Sequence, residues 1–178
     1  YLVWEKRSKE NTYVKIYELD DVKNMYQPFW EKTQKIRTSE EWINQSGWLQ
    51  GSPQASNEWY NPIVQSKMFL LNDVTIWNPF DTDYFIWLDA GITNTVPHTH
   101  LAHDNVLNNI EKHLNPFLFL SYPYEANTEI HGFKFDGMNR YSGKKVEYVC
   151  RGGLFGGHKK QINEANATYY SLLEKTLS

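Results

Sequence analysis

The chain has 178 residues, enough for one domain with a real hydrophobic core. Its net charge of −3 removes any electrostatic case for nucleic acid or an anionic membrane surface, and no apolar run reaches the length of a membrane span. A single cysteine, Cys150, excludes an internal disulfide and a cysteine-based zinc site; it lies in an apolar run and reads as an inert core residue. Aromatic residues make up 16% of the chain, a content that serves core packing first and that also supplies rings on which sugars can stack.

The chain opens on Tyr1-Leu2-Val3-Trp4 without a methionine and closes at Leu177-Ser178 inside a helical pattern. Both ends read as cut, so the expectation is a single α/β domain over 1–178, incomplete at each end. Val14 to Leu19 alternates as a strand. Asp20 and Asp21 then cap a helix running towards Trp30. Thr38-Ser39-Glu40-Glu41 is a second helix start, with acids in its first turn. The stretch 47–57, rich in Gly, Ser, Gln and Pro, reads as a loop. Asn61-Pro62 opens a helix whose apolar face carries Ile63, Val64, Met68, Leu71 and Val74, and Asn78-Pro79 stops it.

Five consecutive apolar residues follow, Tyr84 to Leu88, and end at Asp89-Ala90-Gly91. Such a run reads as a strand buried on both faces. Pro97 to Asn115 reads as a surface helix, Phe117 to Tyr122 as a second strand, Glu125 to Gly143 as loop or irregular hairpin, and Val146 to Phe155 as a third strand. Ile162, Ala165, Tyr169, Leu172 and Leu173 give the last helix its spacing. Strands alternating with helices predict an α/β fold with a mostly parallel sheet flanked by helices.

Three constellations can carry chemistry. In an open α/β sheet ligands sit beyond the carboxyl ends of strands, where Asp89 falls, and Gly91 permits close approach; an ordinary Asp-x-Gly turn is the plain alternative. Arg151-Gly152-Gly153-Leu154-Phe155-Gly156-Gly157 places four glycines in six positions where a strand gives way to a helix. Glycines there weaken a strand, let a bound group approach the backbone, and lead to the unpaired N–H groups of a helix start; a bulge used only in packing is the alternative. The third is His98, His100 and His103 with Asp104, spaced so that they can bind Zn²⁺ and serve a zinc-dependent hydrolase, or simply form the polar start of a helix. Lys67, in the helix before Asp89, reads as a solvated lysine or as a positive charge beside a phosphate, and Arg151 and Lys159 flank the glycine motif. Trp87 reads as core. Asp136 is a candidate base without support from spacing.

An apolar strand ending in Asp-x-Gly, followed about sixty residues later by Gly-Gly-x-Phe-Gly-Gly entering a helix, resembles GT-A-fold glycosyltransferases. Phe155-Gly156-Gly157 with Gln161 is similar to the acceptor-side segment of the blood-group A/B type transferases. The closer resemblance is to the bacterial HtrL/YibB-type family of glycosyltransferase-like proteins, carried by Asn78-Pro79-Phe80, Tyr84-Phe85, Trp87-Leu88-Asp89-Ala90-Gly91-Ile92 and Gly152 to Gly157, and covering roughly 57–178. That resemblance implies a GT-A-like fold and transfer of a sugar from a nucleoside-diphosphate donor to a glycan hydroxyl, in surface polysaccharide or lipopolysaccharide assembly. It implies a cytoplasmic protein, peripheral to the inner face of the membrane. Asp89, Gly91, Lys67 and Arg151 would serve the donor. Gly152, Gly153, Phe155, Gly156, Gly157 and His158 would line the sugar and acceptor pocket. Asp89 would hold Mn²⁺ or Mg²⁺, although Gly91 stands where the Asp-x-Asp pattern of GT-A enzymes has its second acid. A carbohydrate-binding domain that kept the fold without the chemistry is the non-enzymatic counterpart.

Overall fold

The computed structural model describes residues 11–92, 105–123 and 143–177, with Pro97, Thr99 and Asn139 singly. Helices α1 (Leu19–Met25) and α2 (Gln27–Arg37) replace the one helix expected after Asp20. The break falls at the fully buried Tyr26 because Pro28 cannot donate to the carbonyl of Asn24, so it starts a new helix instead. Ser39 caps α3 (Glu40–Ile43), accepting from the Trp42 N–H at 3.3 Å, as the sequence predicts. The expected loop at 47–57 is more ordered than its composition indicates. It holds a 3₁₀ turn, Leu49–Gly51, and a short helix, α4 (Pro53–Ser56), with Ser52 as its cap.

The next apolar face is divided between α5 (Tyr60–Gln65) and α6 (Lys67–Trp77). The junction is Ser66, fully buried, whose hydroxyl donates to the Pro62 carbonyl at 2.7 Å. The division matters for burial: Met68 and Leu71 of α6 are buried, while Ile63 and Val64 of α5 are exposed. Asn78 ends α6 in the left-handed region, φ 39°, and its amide group holds both the N–H and the carbonyl of Thr82. That turn aims the chain into β1 (Tyr84–Leu88). Helix α7 (Asn105–His113), β2 (Phe117–Pro123), β3 (Tyr148–His158) and α8 (Lys159–Thr176) complete the described residues.

The sheet corrects the main expectation. Among the described residues it has three strands in the order β1-β3-β2, and both pairings are antiparallel; the mostly parallel, GT-A-like (Rossmann-like) sheet is not what these residues form. Alternation of strands and helices along a sequence does not fix strand direction. β1 and β3, far apart in sequence, run oppositely, with Tyr84 opposite His158 and Leu88 opposite Leu154. Nor is β1 buried on both faces. Phe85 and Trp87 turn towards the core, while Tyr84, Ile86 and Leu88 are exposed, as on an antiparallel sheet covered on one side. The strand expected over Val14 to Leu19 does not form: residues 14–18 join no strand, and Leu19 opens α1.

The glycine motif does not end β3; the strand runs through it to His158. Gly156 and Gly157 are what make this possible. A Cβ on Gly156 would fall 2.2 Å from the Phe85 carbonyl oxygen, and one on Gly157 2.5 Å from that of Pro116. The central strand is gripped by both neighbours, and only hydrogen fits there.

Two hydrophobic clusters meet on α6. Tyr26, Phe29, Trp30, Phe69 and Leu173, with Met25 of α1 packed against them, join α1, α2, α6 and α8. Met68, Leu71, Phe155 and Ile162, with Phe85, Trp87 and Phe117 against them, join the inner face of the sheet to α6 and α8. The helical spacing of Ile162, Tyr169 and Leu173 is thus borne out as the inward face of α8, although Leu172 is exposed. Cys150 is exposed rather than buried: it lies on β3 before the sheet meets the helices.

Candidate functional site

The site begins with three local facts. Lys67 is the first residue of α6, Asp89 follows the last residue of β1, and β3 bulges beside them. On the β2 side the register passes from Phe119 opposite Phe155 directly to Leu120 opposite Arg151, so residues 152–154 have no partner on β2. Bulges re-aim backbone groups. Here the carbonyls of Gly152 and Gly153 are turned to the Asp89 side: the Asp89 N–H donates to the Gly153 carbonyl at 2.9 Å, and the Lys67 ammonium donates to that of Gly152 at 3.2 Å.

The Asp89 side chain is held from both sides. Lys67 Nζ lies 2.7 Å from Oδ2, and the Trp87 indole N–H donates to Oδ1 at 2.6 Å. The Lys67 ammonium also sits 6.0 Å from the centre of the Trp87 ring, within reach of its π face. Trp87 itself is stacked on the buried ring of Phe155, and Phe119 stacks on Phe155 in turn, so the hydrogen bond to Asp89 rests on the core. Partial burial works against ionisation of Asp89. The hydrogen bonds from Lys67 and Trp87 outweigh it and hold the carboxyl below its ordinary value. The Asp89 side chain is 34% exposed and that of Lys67 19%, so the pair is half-buried.

A groove of about 320 Å³ runs between β1 and α6 along Leu70, Val74, Phe85, Trp87 and Leu88, ending at the residue before Asp89. It shares Tyr17, Val74, Phe85 and Ile86 with a second groove of about 490 Å³, which Tyr13, Trp77 and Phe80 flank with aromatic rings. Tyr13 stands edge-on to both Trp77 and Phe80, while Lys15 and Tyr17 bond to Asp73 on α6.

Comparison with known proteins bears out the HtrL/YibB family read from these residues. Residues 5–167 match the family model described as "Bacterial protein of unknown function (HtrL_YibB)". The chain belongs to this family. No curated protein and no solved structure matches it.

In this HtrL/YibB member the structure brings together only part of the sequence-predicted site. Asp89, Lys67, Gly152 and Gly153 meet, and Gly91 lies in the exposed turn just beyond. Arg151 is exposed on β3, one residue from the bulge. Phe155, Gly156 and Gly157 are buried among β1, β2 and the helices, so their fit is to the protein itself. His158 stands at the far end of β3, opposite Tyr84, and caps α8 by accepting from the Lys160 N–H. The start of α8 is not a free anion site either. The Lys159 N–H donates to the Asp83 carbonyl at 2.8 Å and the Lys159 ammonium pairs with the Asp83 carboxylate at 2.9 Å. His98, His100, His103, Asp104 and Asp136 lie outside the described residues.

For a divalent cation the donor set is poor. Both Asp89 oxygens are engaged, the neighbour on one of them is itself a cation, and no group of three acidic, histidine or cysteine side chains converges among the described residues. Sequence reasoning missed Trp87 as a functional side chain. The signal was present: in a strand, residues two apart share a face, so Trp87 and Asp89 were bound to be neighbours.

Proposed function

We propose that this protein is a nucleotide-sugar-dependent glycosyltransferase acting on a glycan hydroxyl. The observation that carries the reading is the junction of the two sequence motifs. Asp89 and Gly153 are hydrogen-bonded to each other, and Lys67 bridges Asp89 to Gly152. A cation oriented by a carboxylate and a glycine backbone suits the diphosphate of a sugar donor, and the aromatic groove at the far end of α6, which shares lining residues with the smaller groove along β1, suits its flat heterocycle.

In the proposed reaction the acceptor hydroxyl oxygen forms a bond to the anomeric carbon. The bond from that carbon to the donor's phosphate oxygen breaks, and its electron pair leaves on the diphosphate. The hydroxyl proton is released to a base or to water. Charge grows on the leaving diphosphate as the bond breaks, so a fixed positive group facing it lowers the barrier. Lys67 and Arg151 are assigned to the donor's phosphates, Gly152 and Gly153 to the nearby backbone wall, and Gly91 to the open turn that admits the donor. A role in surface polysaccharide or lipopolysaccharide assembly at the cytoplasmic face of the membrane belongs to the same proposal. Among the described residues no helix is long and apolar enough to cross a membrane.

The test is a transfer and donor-hydrolysis assay of the full-length protein across the common nucleotide sugars. Turnover with one of them is expected, and Asp89→Asn, which keeps shape and removes charge, should lower it by about a hundredfold through misplacement of the groups it holds. An Asp89→Asn protein with undiminished activity refutes the assignment.

A further inference from the structure

The pair Lys67–Asp89 has a feature that a metal site lacks. Each Asp89 oxygen already accepts a hydrogen bond from a fixed donor, at 2.6 Å from Trp87 and 2.7 Å from Lys67. A hard dication needs several oxygen ligands, preferably anionic, and Gly91 supplies no second carboxylate. A dication on Asp89 Oδ2 would also face the Lys67 ammonium across a few ångströms, a like-charge contact. The ammonium, by contrast, is built in. Its stem is largely covered, two of its three N–H groups are aimed at Asp89 Oδ2 and the Gly152 carbonyl, and the Trp87 ring lies behind it. One N–H has no partner among the described residues. A lysine tethered in this way is a fixed point charge with one donor to spare.

We infer that the Lys67 ammonium is itself the positive charge that meets the donor's diphosphate, that Asp89 is the positioning residue that holds it, and that no divalent cation is seated on Asp89. The inference rests on the glycosyltransferase reading and assigns the electrostatics of that same site. Asp89 contributes through Lys67, and Trp87 keeps Asp89 from turning away.

The experiment measures binding of UDP, GDP, CDP and dTDP to the full-length protein by calorimetry, in chelator and in Mn²⁺, and binding of Mn²⁺ alone by its spin-resonance signal. The expected result is one nucleoside diphosphate bound with a Kd that changes less than about twofold between the two conditions. Lys67→Met should weaken that binding by about tenfold or more, while Asp89→Asn should shift it by less than about threefold and lower kcat far more than it changes KM. Lys67→Met leaves the Asp89 carboxylate unpaired and can fail to fold. The double variant Lys67→Met/Asp89→Asn removes both charges and should show the same loss of binding with a wild-type melting temperature. One equivalent of Mn²⁺ bound by the wild type and lost in Asp89→Asn overturns the inference, as does diphosphate binding that requires Mn²⁺; in both cases the glycosyltransferase reading stands. Undiminished binding by the double variant overturns it too. Absence of binding by all four diphosphates under both conditions overturns the inference and the reading together.

Discussion

Replacing Gly156 by alanine tests the account of the glycine motif most directly. The added Cβ would lie 2.2 Å from the Phe85 carbonyl oxygen and 2.7 Å from Ile86 Cα, where ordinary contact begins at 3.4 Å. Both obstacles are backbone atoms of β1, so no side-chain rotation relieves them, and the two strands must part by roughly 1 Å. Overpacking of this kind costs about 1–3 kcal/mol, and each β1–β3 hydrogen bond that stretches beyond use adds about 1 kcal/mol. A loss of about 3 kcal/mol is expected, or roughly 6–12 °C in Tm for a chain of this size. Gly152→Ala is the matched control. The same methyl group there meets nothing within 4 Å, and a change within about 0.5 kcal/mol is expected. Urea unfolding followed by far-ultraviolet circular dichroism and by tryptophan fluorescence compares the two. If Gly156→Ala is as stable as wild type, or if Gly152→Ala is equally damaging, the strand-gripping explanation is wrong.

Two further outcomes follow from the same geometry. The folded Asp89 carboxyl titrates below its ordinary value of 3.8 despite the opposing effect of burial, so its contribution to stability is complete above that pH and is lost as pH falls through the lower folded value. The gap in urea midpoint between wild type and Asp89→Asn should therefore narrow between neutral pH and about pH 3; a gap that stays constant contradicts the pairing with Lys67 and Trp87. Cys150 is exposed on β3 and should react with a thiol reagent in the native protein at nearly the rate seen after unfolding. Protection that disappears only on denaturation would restore the core placement read from the sequence.

The sequence by itself determined what depends on neighbours along the chain. Ser39 caps a helix because its oxygen reaches an N–H three residues on, and Asn78-Pro79 stops one because proline cannot continue it. Tyr84 to Leu88 is a strand, Phe117 to Tyr122 lies within one, and the Ile162–Tyr169–Leu173 spacing marks the inward face of α8. Pro28 divides α1 from α2 by the same local rule, since proline starts a helix and does not continue one. The tertiary structure decided strand direction, the single covered face of β1 and the exposure of Cys150, because these follow from which distant segments pack together, and an apolar run has the same composition whether one face or two are covered. It also divided the glycine motif. Gly156 and Gly157 have hydrogen for a side chain because neighbouring strands leave no room, while Gly152 and Gly153 sit in a bulge whose carbonyls meet Lys67 and Asp89. Local rules specify that a glycine or an acid can serve a site. Only the long-range pairing of β1 with β3, and the packing of α6 beneath them, brings Lys67 within 2.7 Å of Asp89.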